Sequence, residues 1–284
     1  MSSYAIGTRT NSGSMAAQRH LQRSNGAIHD SVGRLSSGLR VRSASDGSAS
    51  MAVSENVRAQ LGSFQRAAKN INDTVSMANT AESGYQAISD MLVKMKQIAV
   101  ESASDGVTDT ERGFLNTEFG AMAEEMDRLV STLEFNGNTL LDGTAGSGGA
   151  GSVTVQAGMR NSGNDQLELT LNAVDSTALG VNQTQTNVSS RTDAETAVGD
   201  IDAAMETLNT SRMNIGSFIN RADIAANSVQ ASIEQFAVGL GNARDASFSE
   251  ESAEFNKEQV MQQAGVSMLT QANAQANIAL RLIG

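Results

Sequence analysis

Not one proline occurs in the 284 residues of this chain. At ordinary usage, about 5%, roughly fourteen would be present. Proline lacks the N–H that a helix ladder needs and clashes with the turn before it, so its absence permits uninterrupted helices and argues against a turn-rich fold. Cysteine and tryptophan are absent too, while aromatic residues make up only 4% of the chain and charged residues 18%. Large apolar side chains supply most of the burial energy of a wide globular core, and few are available here. Length allows one or two domains, and composition favours thin helical bundles.

The lack of cysteine removes disulfides, thiolate metal sites and cysteine nucleophiles together. The first thirty residues hold no apolar run of signal-peptide length, because 11–25, NSGSMAAQRHLQRSN, interrupts any such run. A chain like this either stays in the cytosol or leaves by a route that reads no signal peptide. The longest uncharged run, Gln259 to Leu280, contains seven Asn or Gln residues and would be costly in hydrocarbon, so no membrane span is expected. The net charge of -11 is unevenly placed: residues 1–42 carry six arginines against the single acid Asp30, leaving the remainder at -16. That basic arm lacks interleaved aromatics apart from Tyr4 and any DNA-reading motif, so pairing with acidic surface on its own chain or a neighbouring copy is expected, not nucleic-acid binding.

Apolar residues fall on heptad grids. Leu21, Ile28 and Leu35 lie seven apart, with Val32 and Leu39 filling the second seam position of a first helix. Ile71, Ala78, Tyr85, Leu92 and Ala99, with Ala81, Ile88 and Met95 beside them, predict a second helix ending near Ser104-Asp105-Gly106. Thr108 and Glu111 form a T-x-x-E capping box that opens a third helix, its seam reading Leu115, Phe119, Met122, Met126, Leu129 and Leu133. A second such box at Thr192 and Glu195 opens the longest grid, from Ala197 through Ile201, Leu208, Ile215 and Val229 to Leu240. The last helix, about 249–282, places Met261, Ala264, Met268, Ala272, Ala276, Ala279 and Ile283 on one side. Between the helical halves, Phe135-Asn136-Gly137 predicts a turn, 141–152 a flexible Gly-rich linker, and Val153–Val155 with Leu167–Leu171 a β-hairpin. The fold class is therefore mainly α: an antiparallel coiled-coil bundle with a small central hairpin and paired termini. Ala burial returns little against the roughly 1–2 kcal/mol per residue of ordering entropy, so the two ends are expected to gain order on assembly.

Signals for chemistry are weak. His20 and His29 are the two histidines and have no third ligand near them in the sequence, so no metal site is expected. Glu124, Glu125 and Asp127 read as a solvated helix face. Gly143–Gly151 lacks the lysine of a phosphate-binding loop. The methionines in the seams read as adaptable packing, and neither cofactor nor enzymatic activity is expected.

Several longer motifs stand in order along the chain. Arg34-Leu35-Ser36-Ser37-Gly38-Leu39-Arg40-Val41, followed by Ser43-Ala44-Ser45-Asp46, resembles the R-L-S-S-G-L-R-I-N-S-A-x-D signature of bacterial flagellin. The resemblance continues through Arg66–Asn70 with Asn72-Asp73, Ala81–Gly84, Ile98–Ala103, Glu134–Gly137 with Leu140–Gly143, and Val260–Leu269 with Gln271-Ala272-Asn273, over about nine-tenths of the chain. It implies a structural subunit of the extracellular flagellar filament, exported unfolded through the flagellum's own type III apparatus and polymerised at the distal tip. The partners implied are other copies of the chain, an export chaperone, the filament cap and the hook-junction proteins. The family's layering implies that 1–43 and 244–284 form an inner coiled-coil layer, 44–142 and 190–243 an outer bundle, and 143–189 a linker and hairpin at the outer tip with no large inserted domain. The assembly interface is then expected at Leu21, Ile28, Val32, Leu35, Leu39, Met261, Ala264, Met268, Ala272 and Ala279. The family pattern L-Q-R-V-R-E-L-A-V-Q aligns with Leu92–Glu101, which marks Lys94, Ile98 and Glu118 as a contact surface for a Toll-like innate receptor or a neighbouring subunit, with Lys94 where the family has arginine. Lysine keeps the charge but loses the planar fork. The rival readings are the hook-filament junction protein of the same apparatus and a cytosolic coiled-coil adaptor.

Overall fold

A computed structural model describes residues 11–146 and 148–283, with the side chains of 275–277 and 279–283 left aside. Five helices dominate: α1 (Ser12–Ser37), α2 (Ser48–Ser102), α3 (Asp109–Thr132), α4 (Arg191–Arg244) and α5 (Phe248–Ile283). Two antiparallel strand pairs lie between α3 and α4: β1 (Glu134–Phe135) with β2 (Asn138–Thr139), and β3 (Ser152–Gln156) with β4 (Gln166–Thr170). The mainly α expectation holds. The chain forms two compact units, 1–59 with 235–284, and 60–234, and it passes between them within α2 and again within α4.

The unit formed by 60–234 holds the large core. Ile71, Ala78, Ala81, Tyr85, Ile88, Leu92, Met95 and Ala99 of α2 are all buried, the heptad face that the sequence predicts. From α4 come Ala197, Ile201, Ala204, Leu208, Ile215, Phe218 and Val229, and from α3 Phe119, Ala123, Met126 and Val130. On α3 the buried face is rotated slightly from the predicted one, since Leu115, Met122, Leu129 and Leu133 are only half-buried. Helix α2 begins at Ser48, more than twenty residues ahead of the predicted grid. Its first turns are sparse in large apolar residues, so periodicity gave no signal there.

Local chemistry sets the element ends. Thr108 caps α3 as expected: its hydroxyl accepts from the Glu111 N–H, and the Glu111 carboxylate accepts from the Thr108 N–H at 2.8 Å. Those bonds hold the Glu111 carboxyl below the usual carboxylate range. The Thr108→Ala substitution should therefore cost about 1 kcal/mol, read as a drop of about 2–4 °C in the thermal transition of this unit. The cap of α4 lies two residues ahead of the predicted box: the Asp193 N–H donates to the Ser190 hydroxyl, which donates to the Asp193 carboxylate at 2.6 Å.

Asn136 and Gly137 both have positive φ, 53° and 79°, so β1 and β2 are joined by the two-residue turn that favours Asn-Gly. The predicted hairpin forms with Val153 opposite Leu169 and Val155 opposite Leu167. The Gly-rich stretch before it is packed at Gly143, Gly146 and Gly151, while 148–150 are exposed. Gly146 has φ of 96°, and a Cβ there would stand 2.0 Å from the Ser152 carbonyl oxygen. Residues 172–190, which carry no periodic signal, are fastened as well: Val174, Leu179, Val181 and Val188 are buried. The Ser176 hydroxyl donates to Asp127 and the Thr186 hydroxyl to Asp200, at 2.7 and 2.8 Å.

Candidate functional site

The other unit contains α1 and α5, packed antiparallel along their length. Four polar links fix their register: the Asn11 side chain donates to the Ala272 carbonyl at 3.1 Å, the Ser24 hydroxyl to the Glu258 carboxylate at 2.7 Å, Gln262 to Asn25 at 2.6 Å, and Arg34 to Glu251 at 3.2 Å. The seam itself runs Ser14, Ala17, Leu21, Ser24, Ile28, Ser31 and Leu35 on α1, against Glu251, Phe255, Glu258, Gln262, Gly265, Leu269 and Ala272 on α5. Both sets step by three and four residues, as a coiled-coil seam does. Half of its members are serine, glutamate, glutamine or glycine. Gly265 lets Leu21 in, since a Cβ there would sit 3.0 Å from the leucine side chain.

This seam differs from the predicted one. Leu21, Ile28 and Leu35 lie in it and are half-buried against α5 within the same chain. The second seam position is held by Ala17, Ser24 and Ser31, so Val32 points away and is 47% exposed. Leu39 is not on α1 at all. Gly38, at φ of 70°, caps the helix, and Leu39 pairs instead with Asp245 in an isolated antiparallel bridge. Around that bridge the Arg40 N–H donates to the Arg244 carbonyl and the Ala246 N–H to the Gly38 carbonyl, while Arg244 reaches Glu55. On α5, Met261 and Met268 are 50% and 60% exposed, Ala264 is exposed, and Ala272 is half-buried. The side chain of Ala279 lies outside the described residues, as do those of Ala276 and Ile283.

Small residues pack poorly and leave space. Two hollows of about 540 and 450 Å³ open between α1 and α5. The first is lined by Gly13, Ala16, His20 and Met268, and the second by Arg23, Ala27, Met261 and Ala264, among others. Together with exposed Met15, Val260, Val266 and Ile278, they put large apolar side chains among the polar ones on the outside of this helix pair, whose seam is half polar. Such a pair leaves several large apolar side chains in water.

The basic arm is partly neutralised within the chain: Arg34 pairs with Glu251, and Arg42 with Asp30 at 3.3 Å. Among the described residues no group of three His, Asp or Glu side chains could hold a metal, and no helix is long and apolar enough to cross a membrane. In the unit formed by 60–234, Lys94 and Glu118 are exposed. Ile98 is only 7% exposed and lies in the core. It packs within the bundle and is not available to a receptor or a neighbouring subunit.

Comparison with known proteins agrees with this architecture. The family model described as the bacterial flagellin N-terminal helical region matches residues 9–146, and that of the bacterial flagellin C-terminal helical region matches 198–283. A flagellin of Halalkalibacterium halodurans is 31% identical over 88% of this chain and 89% of its own length. A flagellar filament core protein of Brachyspira hyodysenteriae is 30% identical over 94% of this chain and 96% of its own. Among solved structures, a flagellar hook-associated protein from Vibrio parahaemolyticus matches with a TM-score of 0.58, covering 70% of this chain and 100% of its own at 15% identity, a likeness of fold.

Proposed function

The chain belongs to the bacterial flagellin family and is a structural subunit of the flagellar filament, and we propose that the apolar outer side of its α1/α5 pair is the surface through which copies join. The observation that carries the proposal is the set of apolar side chains left exposed on that pair, Met15, Val260, Met261, Val266, Met268 and Ile278, while serine and glutamate take up part of its seam. A helix pair that stays greasy on its outside gains its missing burial from neighbours. Contacts that join one patch to a different patch on the next copy extend without closing, which gives an open helical polymer.

On this reading residues 1–43 and 244–284 make the inner layer, 44–142 and 190–243 the outer bundle, and 143–189 the outer tip. The polar seam supports folding of the two ends being coupled to assembly, since hydrogen bonds alone return only about 0.5–1.5 kcal/mol each. Membership of the family supports export in an unfolded state with an export chaperone, growth under a cap beyond the hook-junction proteins, and assembly outside the cell. The missing prolines fit such a route, because a chain that refolds after export avoids slow isomerisation. Lys94 and Glu118 offer an exposed charged surface to a neighbouring subunit or a Toll-like receptor. Catalysis and a cofactor have no part in this reading.

Purified full-length chain added to sheared filament seeds should extend them, as seen by electron microscopy. Chains lacking 1–42 or 250–284 should remain soluble, keep the helical signal of the unit formed by 60–234, and extend nothing. Filaments of normal length from either truncation would refute the role given to the ends.

A further inference from the structure

Among the described residues three methionines stand on the outside of the α1/α5 pair, Met15 on α1 and Met261 and Met268 on α5. Met261 and Met268 are seven residues apart on α5, two turns and about 10.5 Å along the helix, so they point to the same side. Each lines one of the two hollows against α1, and each is at least half exposed. The thioether is the most readily oxidised group on this face, since neither cysteine nor tryptophan occurs in the chain. By contrast, Met95 and Met126 are fully buried in the core of the other unit.

We propose that Met261 and Met268 are oxidation sites at which a peroxide-class oxidant blocks assembly of the free subunit, and that neighbours protect them once the subunit is in a filament. The inference rests on the reading of this face as the joining surface. In the reaction the sulfur lone pair attacks one oxygen of hydrogen peroxide and the O–O bond breaks. The sulfur loses two electrons and becomes a sulfoxide. The departing hydroxide takes the proton of the transferred hydroxyl and leaves as water. The product replaces a flexible apolar group by a strongly polar acceptor. Within 259–272 the side-chain donors on α5 are the amides of Gln259, Gln262, Gln263 and Gln271 and the hydroxyls of Ser267 and Thr270, of which Gln262 reaches Asn25, and Ser267 and Thr270 donate to the carbonyls of Gln263 and Val266. Burying so polar a group costs more than burying the thioether it replaces, so a neighbour should no longer cover the oxidised face. A sulfoxide is also reducible by the methionine sulfoxide reductases, which makes the block reversible.

The test uses full-length chain treated with hydrogen peroxide, with sulfoxide at each methionine measured by peptide mass spectrometry and growth measured on sheared filament seeds. Chain carrying sulfoxide at Met261 and Met268 should need at least a tenfold higher concentration to extend seeds, and reductase treatment should restore growth. The Met261→Leu/Met268→Leu double variant, made in a Met15→Leu background because Met15 stands on the same helix pair, nearly conserves volume and should keep growing after the same treatment even though Met213, 66% exposed in the other unit, is oxidised. Should the double variant not assemble, sulfoxide formation at the two positions must be at least tenfold slower in assembled filaments than in free chain. Undiminished growth of chain oxidised at both positions, equal loss in the double variant, or equal oxidation rates in filament and free chain would each overturn the proposal. If untreated chain does not extend seeds, the filament-joining surface itself is refuted, and that result is distinct from all of these.

Discussion

Replacing Arg112 by methionine should lower the stability of the unit formed by 60–234 by about 3–5 kcal/mol, and its thermal midpoint by about 8–15 °C. Arg112 is 5% exposed near the start of α3, where its guanidinium closes the turn from α2. Its Nε donates to the Ser102 carbonyl at 2.8 Å, Nη1 to Val107 at 2.7 Å and Nη2 to Ser104 at 2.7 Å. These three carbonyls belong to the end of α2 and the turn after it, where helix geometry leaves acceptors without partners. Each hydrogen bond to a charged donor is worth about 1.5–3 kcal/mol. The sum overstates the loss, because the Ser104 carbonyl lies in an exposed turn that water can reach. Ser102 is itself fully buried and donates to the Val188 carbonyl at 2.6 Å, so the same arginine also steadies the segment leading to α4. Methionine keeps the stem and removes the donors, which separates hydrogen bonding from packing. Lysine keeps the charge but offers one nitrogen instead of a planar fork, so Arg112→Lys should fall between the parent and Arg112→Met. Thermal unfolding followed by circular dichroism checks the order, and a loss below 1 kcal/mol in Arg112→Met would refute the clamp.

Nothing in the sequence marks Arg112 as a clamp: one arginine in the first turn of a helix reads as a surface residue, and only the path of the preceding turn brings three carbonyls to it. Legibility follows the size of the side chains in a seam. On α2 and α4 the heptad positions carry Ile, Leu, Tyr, Phe and Met, and those residues are buried where periodicity put them. On α1 the same rule finds Leu21, Ile28 and Leu35, which do lie in the intrachain seam, but misses Ser24 and Ser31 between them, and on α5 it finds Met261, Ala264 and Met268, which are exposed, while Glu251, Glu258 and Gly265 hold seam positions. For a subunit whose greasy side is reserved for neighbours the two faces need not coincide. Leu39 shows a second limit. Its spacing fits the grid, but Gly38 ends the helix with a left-handed residue one position earlier. Ile98 shows a third: a family contact pattern was carried over by position, whereas the helix turns that position into the core. Residues 172–190 were silent because they are buried through side-chain bonds to Asp127 and Asp200, not through any period.

Tyr85 should make this unit sensitive to alkali in a way that one substitution removes. Its ring is fully buried on α2, and its hydroxyl donates to the Asn172 carbonyl at 3.3 Å. Burial, with the nearby Glu82 charge adding to it, pushes the phenol up to about 12 from an ordinary value near 10. Below pH 10 the folded and unfolded chains both hold the proton, and Tyr85 adds no pH dependence. Between pH 10 and 12 the unfolded chain releases it while the folded chain keeps it. The unfolded state then binds fewer protons, so stability falls as pH rises, by about 2–3 kcal/mol at pH 12. Tyr85→Phe keeps the ring and loses one long hydrogen bond, at a cost of about 0.5–1.5 kcal/mol at pH 8. The variant should therefore be the less stable protein at pH 8 and the more stable one near pH 12, and the two stability curves should cross in between. Other groups that titrate in the same range act equally on both proteins and cancel in the difference. Urea unfolding at a series of pH values measures the crossing, and a difference that stays constant from pH 8 to 12 would show that the phenol of Tyr85 titrates as if it were in water.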